Sequence, residues 1–239
     1  MPVLEHIPTD PRDQVLQDAA KKLICPGDTV VDVGVNYMQN TRAFLRFVGR
    51  RGQVIGIEPN QILYDKIKQY DLKVGPKFVV HNKLVSDKTE SVTFRQFDDP
   101  YSGLSGILKS MPADSLTCTM MANADYQDID MDTVTLDQLL SDQDPAQRVG
   151  LIKIDTEGAD CAVVRGAQQL IHRDRPPIII ELCDHTIPEL PALLSDIDYD
   201  VYTLNNGAKI EFEDLKRHPN CVLISNQDHE SLSKLQSTR

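Results

Sequence analysis

The sequence has no tryptophan, and aromatic residues make up only 5% of it. A base-stacking platform for single-stranded nucleic acid needs more of them. Positive charge is also scarce: 25 Lys and Arg stand against 36 Asp and Glu, a formal net charge of −11. With a pI near 4.9, the chain lacks the basic character by which proteins grip phosphate backbones. No run reaches the roughly 18 apolar residues that span a bilayer. The longest, Pro177 to Leu182, is strand-sized. The N-terminus shows no basic segment followed by an apolar run, so no signal peptide is expected. The five cysteines, Cys25, Cys118, Cys161, Cys183 and Cys221, form no C-x-x-C pair. That disfavours a disulfide framework or structural zinc, and reduced thiols in a cytoplasmic protein are expected. No repeat, low-complexity stretch or linker divides the 239 residues, so one domain with no membrane or nucleic-acid partner is expected.

What is present alternates in period. Pro11 to Ile24 reads as an amphipathic helix after the cap Asp10, part of an N-terminal helical extension over 1–27. Short β-branched runs follow at Thr29–Val33 and Gln53–Ile57, with a helix at Thr41–Val48 capped by Asn40 between them. Asn60 caps a third helix. Lys77–Val85 and Ser91–Phe97 read as further strands. Positions 98–132 hold Pro100, Gly103, Gly106 and Pro112 and read as an irregular insertion or lid. Val134–Leu140 reads as a strand–helix junction. Then come a strand at Val149–Ile154, a helix at Ala159–Ile171 and an aliphatic strand at Pro177–Leu182. A helix at Pro188–Ile197 and strands at Tyr199–Leu204, Lys209–Phe212 and Cys221–Ile224 complete the pattern. This order predicts an α/β, Rossmann-like domain: a mostly parallel sheet of about seven strands with helices on both faces.

In such sheets ligands sit beyond the carboxyl ends of the strands, near the point where strand order reverses. The polar residues placed there are Asp32, Gly34 and Asn36 after the first strand, Glu58 after the second and Asn82 after the third. Asp155, Glu157 and Gly158 follow the fourth, then Glu181, Asp184 and His185 the fifth. Gly34 lets backbone approach a ligand closely, and an acid in the place of Glu58 suits ribose hydroxyls. The run Gly34-Val35-Asn36-Tyr37-Met38 lacks the later glycines that admit a pyrophosphate. Asp32 would also repel one. A cationic nucleoside such as S-adenosylmethionine fits these residues better. A dinucleotide, with oxidoreductase chemistry, or a turn with no ligand stays open at this stage.

The blocks V-V-D-V-G-V-N (30–36), V-I-G-I-E-P-N (54–60), V-T-L-D-Q-L-L (134–140), L-I-K-I-D-T-E-G-A-D (151–160), V-V-R-G-A (163–167) and R-P-P-I-I-I-E-L (175–182) resemble the FkbM family of methyltransferases in order and spacing. The resemblance runs over roughly residues 28 to 184. It implies a class I methyltransferase fold, S-adenosylmethionine as cofactor and O-methylation of a sugar or small natural product. Asp32, Gly34, Asn36, Thr41, Glu58, Asn82 and Asp155 are the expected cofactor residues, with Asn82 at the adenine. Asp155, Glu157, Glu181 and His185 are the expected catalytic residues, because a hydroxyl nucleophile needs its proton removed. Lys153, two residues before Asp155 on a strand, faces the same way. These oxygen donors suit Mg²⁺, but no dedicated metal spacing is present and no metal site is expected. The family's usual second glycine is replaced by Met38, whose side chain is expected near the methionine tail of the cofactor. A non-catalytic S-adenosylmethionine binder is the alternative, and a homo-oligomer is compatible with the sequence. Tyr101 to Ser105 resembles a Ser-rich loop of the family.

Overall fold

The computed structural model describes residues 11–70, 75–111, 124–141 and 147–237. Asp10, Pro112 and Cys118 lie outside them. Helix α1 (Pro11–Leu23) precedes strand β1 (Thr29–Val33), helix α2 (Gln39–Val48), strand β2 (Gln53–Ile57), helix α3 (Gln61–Ile67) and strand β3 (Lys77–His81). Strand β4 (Leu84–Val85), β5 (Ser91–Phe97), β6 (Gly106–Ile107) and β7 (Tyr126–Val134) follow, then the short helix α4 (Leu136–Leu139). The second half has β8 (Val149–Ile154), α5 (Asp160–Arg165), α6 (Gln168–Asp174), β9 (Ile178–Glu181), α7 (Leu190–Ile197), β10 (Tyr199–Thr203), β11 (Asn220–Ser225) and α8 (His229–Gln236).

Seven strands form the main sheet in the order β10-β11-β9-β8-β1-β2-β3. Only β11 runs antiparallel to its neighbours. The chain winds outward from β1 through β2 to β3, then returns beside β1 with β8. The reversal of order therefore lies between β1 and β8, where a ligand crevice opens. Every residue of β1 and β2 is buried, as a parallel sheet covered on both faces requires. Alternate side chains feed two cores. Val31 and Val33 pack with Cys161, Val163 and Ile171, whereas Val30 packs with Leu16, Phe44 and Leu235.

Several elements depart from the sequence reading. Lys77–Val85 is not one strand. His81 ends β3, and Leu84–Val85 joins a second, four-stranded sheet of order β4-β7-β5-β6. Ser91–Phe97 belongs to that sheet too, paired antiparallel with β7 in register Arg95↔Asp128 and Phe97↔Tyr126. Within the expected lid, Tyr126–Val134 is thus a regular nine-residue strand. The expected helix Ala159–Ile171 breaks at Gly166, where a side chain would strike the Ser86 carbonyl (2.2 Å). Lys209–Phe212 contributes one isolated bridge, Tyr202↔Lys209, rather than a strand. Helix α8 had no sequence signal assigned to it. Asn40 does not cap α2; the cap position is Met38, and the Asn40 amide donates to Asp13 on α1 (3.0 Å).

Candidate functional site

The crevice opens at the carboxyl ends of β1 and β2, with β8 completing its floor. It encloses a cavity of about 50 Å³ and draws walls from both sheets. Gly34, Asn36, Glu58, Asp155 and Glu157 line it on the main-sheet side; Leu84, Phe94, Ser102 and Ile107 line it on the other. Gly34 turns with φ +80°, and a Cβ there would lie 1.9 Å from the Asp155 carbonyl oxygen. Only glycine lets the β1 and β8 loops meet this closely.

The acid after β2 is built into the loop. Glu58 is 5% exposed and accepts from the Asn36 N–H (2.8 Å) and the Asn60 N–H (2.9 Å). Burial nevertheless outweighs those donors and pushes its pKa up to about 7. Asn36 sits at φ +52°, a conformation asparagine tolerates. Its Oδ1 is buried without a hydrogen-bond partner, an acceptor left over for a ligand donor.

Beneath the crevice lies a charged core. Asp32 is 1% exposed and does not line the cavity. It accepts a 2.6 Å hydrogen bond from the Thr41 hydroxyl, so Thr41, also buried, orients Asp32 from below. The Lys153 ammonium lies 3.6 Å from Asp32 and 3.3 Å from Asp155, and donates to the Gly34 carbonyl at 2.7 Å. Burial alone would lower the lysine pKa; the Asp155 and Asp32 carboxylates more than offset this and hold it raised.

The expected catalytic acids come together. Asp155, Glu157 and Glu181 bring carboxylate oxygens within 4.8 Å of one another, close enough to hold a hard cation. Burial, followed by the charges of Asp155, Glu157 and Asp160, drives the Glu181 pKa far above the carboxylate range. Glu157 and Gly158 both have positive φ, 54° and 100°, and this turn aims the loop at the crevice. Asp160 closes it, accepting from the Thr156 and Gly158 N–H groups.

Other expected residues stand elsewhere. His185 is exposed, its Nε2 3.3 Å from the Gly158 carbonyl, at the rim rather than among the lining residues. Asp184 points out to Lys216. Asn82 donates to the carbonyls of Glu58 and Pro59 (both 3.0 Å), which stitches the β2 loop to β3 and occupies the amide expected at adenine. The Met38 expectation is overturned. Its side chain is fully buried in the core beside Val35 and Phe44 and leaves the crevice open. The left-handed backbone at Met38 directs the side chain into that core.

The opposite wall was not anticipated. Asn60 caps α3 and also donates to the Phe97 and Ser102 carbonyls and to Ser105 Oγ. Tyr37, Asp99, Ser102 and Lys66 form one hydrogen-bonded cluster. Gly103 packs so tightly on the Asn36 amide that a Cβ would come within 2.6 Å. The Ser-rich stretch had drawn notice in the sequence, but only the antiparallel pairing of β5 shows what it covers.

The crevice thus combines a glycine turn, a buried carboxylate at Glu58, an apolar wall and the carboxylates Asp155 and Glu157. The fold resembles methyltransferase FkbM from Methylobacillus flagellatus KT with a TM-score of 0.53 and 16% identity, over 84% of this chain. The chain spans only 44% of that protein's length. Looser likenesses, at TM-scores of 0.46 and 0.47, are to an rRNA-methylase candidate from Clostridium thermocellum (11% identity, 91% of this chain, 96% of that one) and to a precorrin-6y C5,15-methyltransferase from Geobacter metallireducens GS-15 (10% identity, 92% and 89%). The search of curated proteins gave no match. The model of the methyltransferase FkbM domain matches residues 32–201, most of the chain, and the protein therefore belongs to the FkbM family of S-adenosylmethionine-dependent methyltransferases.

Proposed function

We propose that the protein transfers a methyl group to a hydroxyl of a sugar or another small, neutral or cationic natural product. The observation that carries this reading is the acid cluster Asp155, Glu157 and Glu181, set beside a cradle suited to an adenosyl group. Bound S-adenosylmethionine supplies an electrophilic methyl on a sulfonium. Gly34 and Asn36 hold the amino-acid end, Glu58 the ribose, and Leu63, Leu84, Phe94 and Ile107 the purine. Asn82 acts by holding the β2 loop. Asp155 keeps a negative charge in place through Lys153, and positioning supplies much of the rate of an in-line transfer. The acceptor hydroxyl's proton passes to the carboxylate cluster, with His185 at the rim as its route to solvent.

The strong acidity of the chain supports a neutral or cationic acceptor over a nucleic acid. The free thiols Cys25, Cys161, Cys183 and Cys221 support a reducing compartment such as the cytoplasm. No helix among the described residues is long and apolar enough to cross a membrane. The test has two stages. S-adenosylhomocysteine should raise the melting temperature by linkage, and methyl-labelled S-adenosylmethionine should label a hydroxyl compound in a sugar and polyol screen. A thermal shift without labelling of any acceptor favours a non-catalytic binder. A shift with NADH alone refutes the proposal.

A further inference from the structure

We infer that Lys153 is a positioning residue of the transfer site: its ammonium fixes the Gly34 carbonyl and the Asp155 carboxylate where the cofactor meets them. The inference rests on the S-adenosylmethionine reading above.

Lys153 is 3% exposed and sits on β8 directly opposite Asp32 of β1. The simplest role for a buried lysine beside a buried aspartate is a counter-charge. The distances point elsewhere. A charge-assisted N–H···O bond to a carboxylate closes to about 2.7–2.9 Å. Here the Asp32 Oδ1 contact is 3.6 Å, and that oxygen has no hydrogen bond. The shortest contact, 2.7 Å, goes to the carbonyl of Gly34, the residue that lets the crevice exist. Asp155 Oδ2 follows at 3.3 Å and the Val33 carbonyl at 3.4 Å. The ammonium therefore leans past Asp32 toward the crevice and ties the end of β1 to the loop after β8. Asp155 itself is more than a third exposed (39% of its side chain). Among the described residues, Lys153 is the cation that pairs with it.

The experiment uses the full chain and measures melting temperature together with calorimetric affinity for S-adenosylmethionine and S-adenosylhomocysteine. Wild type is compared with Lys153→Met, Asp32→Asn and the double variant. Lys153→Met alone should lose stability, because Asp32 then lacks a counter-charge. The double variant removes both charges and should melt with Asp32→Asn. It should still bind S-adenosylmethionine about tenfold to 100-fold more weakly than Asp32→Asn does, the range typical for partners that orient a binding group. The loss should be at least as large for S-adenosylmethionine as for S-adenosylhomocysteine, which lacks the sulfonium charge. Equal affinities in the double variant and Asp32→Asn overturn the inference. So does a double variant that fails to fold where Asp32→Asn folds, since the contact is then structural. A wild type that binds neither compound overturns the methyltransferase reading and this inference with it, before any variant is compared.

Discussion

Glu58 gives the sharpest quantitative expectation. Its carboxyl titrates at 4.5 in a model peptide and at about 7 in the folded protein, because burial opposes ionisation. At about 1.36 kcal/mol per unit, the ionised form costs the fold about 3 kcal/mol. The sign follows from the raised value. Stability contributed by Glu58 is complete below the unfolded value and is lost as pH climbs through about 7. Glu58→Gln cannot ionise. Urea unfolding of both proteins from about pH 4.5 to about pH 8 should therefore show the variant gaining about 3 kcal/mol on wild type. A constant offset is expected as well. The Gln amide turns an NH₂ toward one of the two N–H groups that Glu58 accepts from, at a cost of about 1–3 kcal/mol. Only the slope decides. A difference flat to within about 0.5 kcal/mol over that range would refute the assignment of a buried, reluctant acid. Ligand binding gives a second readout. Ribose hydroxyls donating to Glu58 favour its charged form. S-adenosylhomocysteine affinity should then rise by up to about tenfold per pH unit below 7 and level off above it. Glu58→Gln should abolish that rise.

Three further outcomes are expected. Gly34→Ala places a methyl 1.9 Å from the Asp155 carbonyl oxygen; differential scanning calorimetry should show a large drop in melting temperature, and calorimetric titration no cofactor binding. Asn60→Ala removes the α3 cap and the ties to Ser102 and Ser105; urea unfolding should show a loss of about 1–2 kcal/mol, and amide exchange should quicken over residues 102–107. Turnover on an identified acceptor should survive EDTA, because Lys153 already places positive charge 3.3 Å from Asp155; activity abolished by EDTA and restored by Mg²⁺ would assign the acid cluster to a cation instead.

The central sheet was legible because its strands are short, mostly aliphatic and followed by polar turns, with Gly34 after β1 and Pro59 after β2. Thr29–Val33, Gln53–Ile57 and Val149–Ile154 needed nothing but composition to be placed. The second sheet was not legible, for a physical reason. In Tyr126–Val134 the exposed face is Asp128, Asp130 and Asp132, a pattern of period two whose half-buried partners, Ile129 and Met131, are few. Their acidity reads as loop until Arg95 and Thr93 appear opposite them. The candidate site divided in the same way. Acids at strand ends could be gathered by topology alone, whereas depth could not. Asp32 and Thr41 lie below the crevice, His185 stands at its rim, and Met38 turns into the core. Which side of the backbone a loop residue takes depends on φ values near +50° to +60°, as at Asn36, Met38 and Glu157, and side-chain type fixes these only weakly.

The hydrogen bond from Lys153 to Val33 closes 120 positions of chain. A ribosome delivers the two ends of that loop well apart in time. The turn after β1 emerges early, but the floor of the crevice is absent until β8 and Glu157 have followed. Truncation anywhere before Ala159 therefore leaves the crevice without part of its lining.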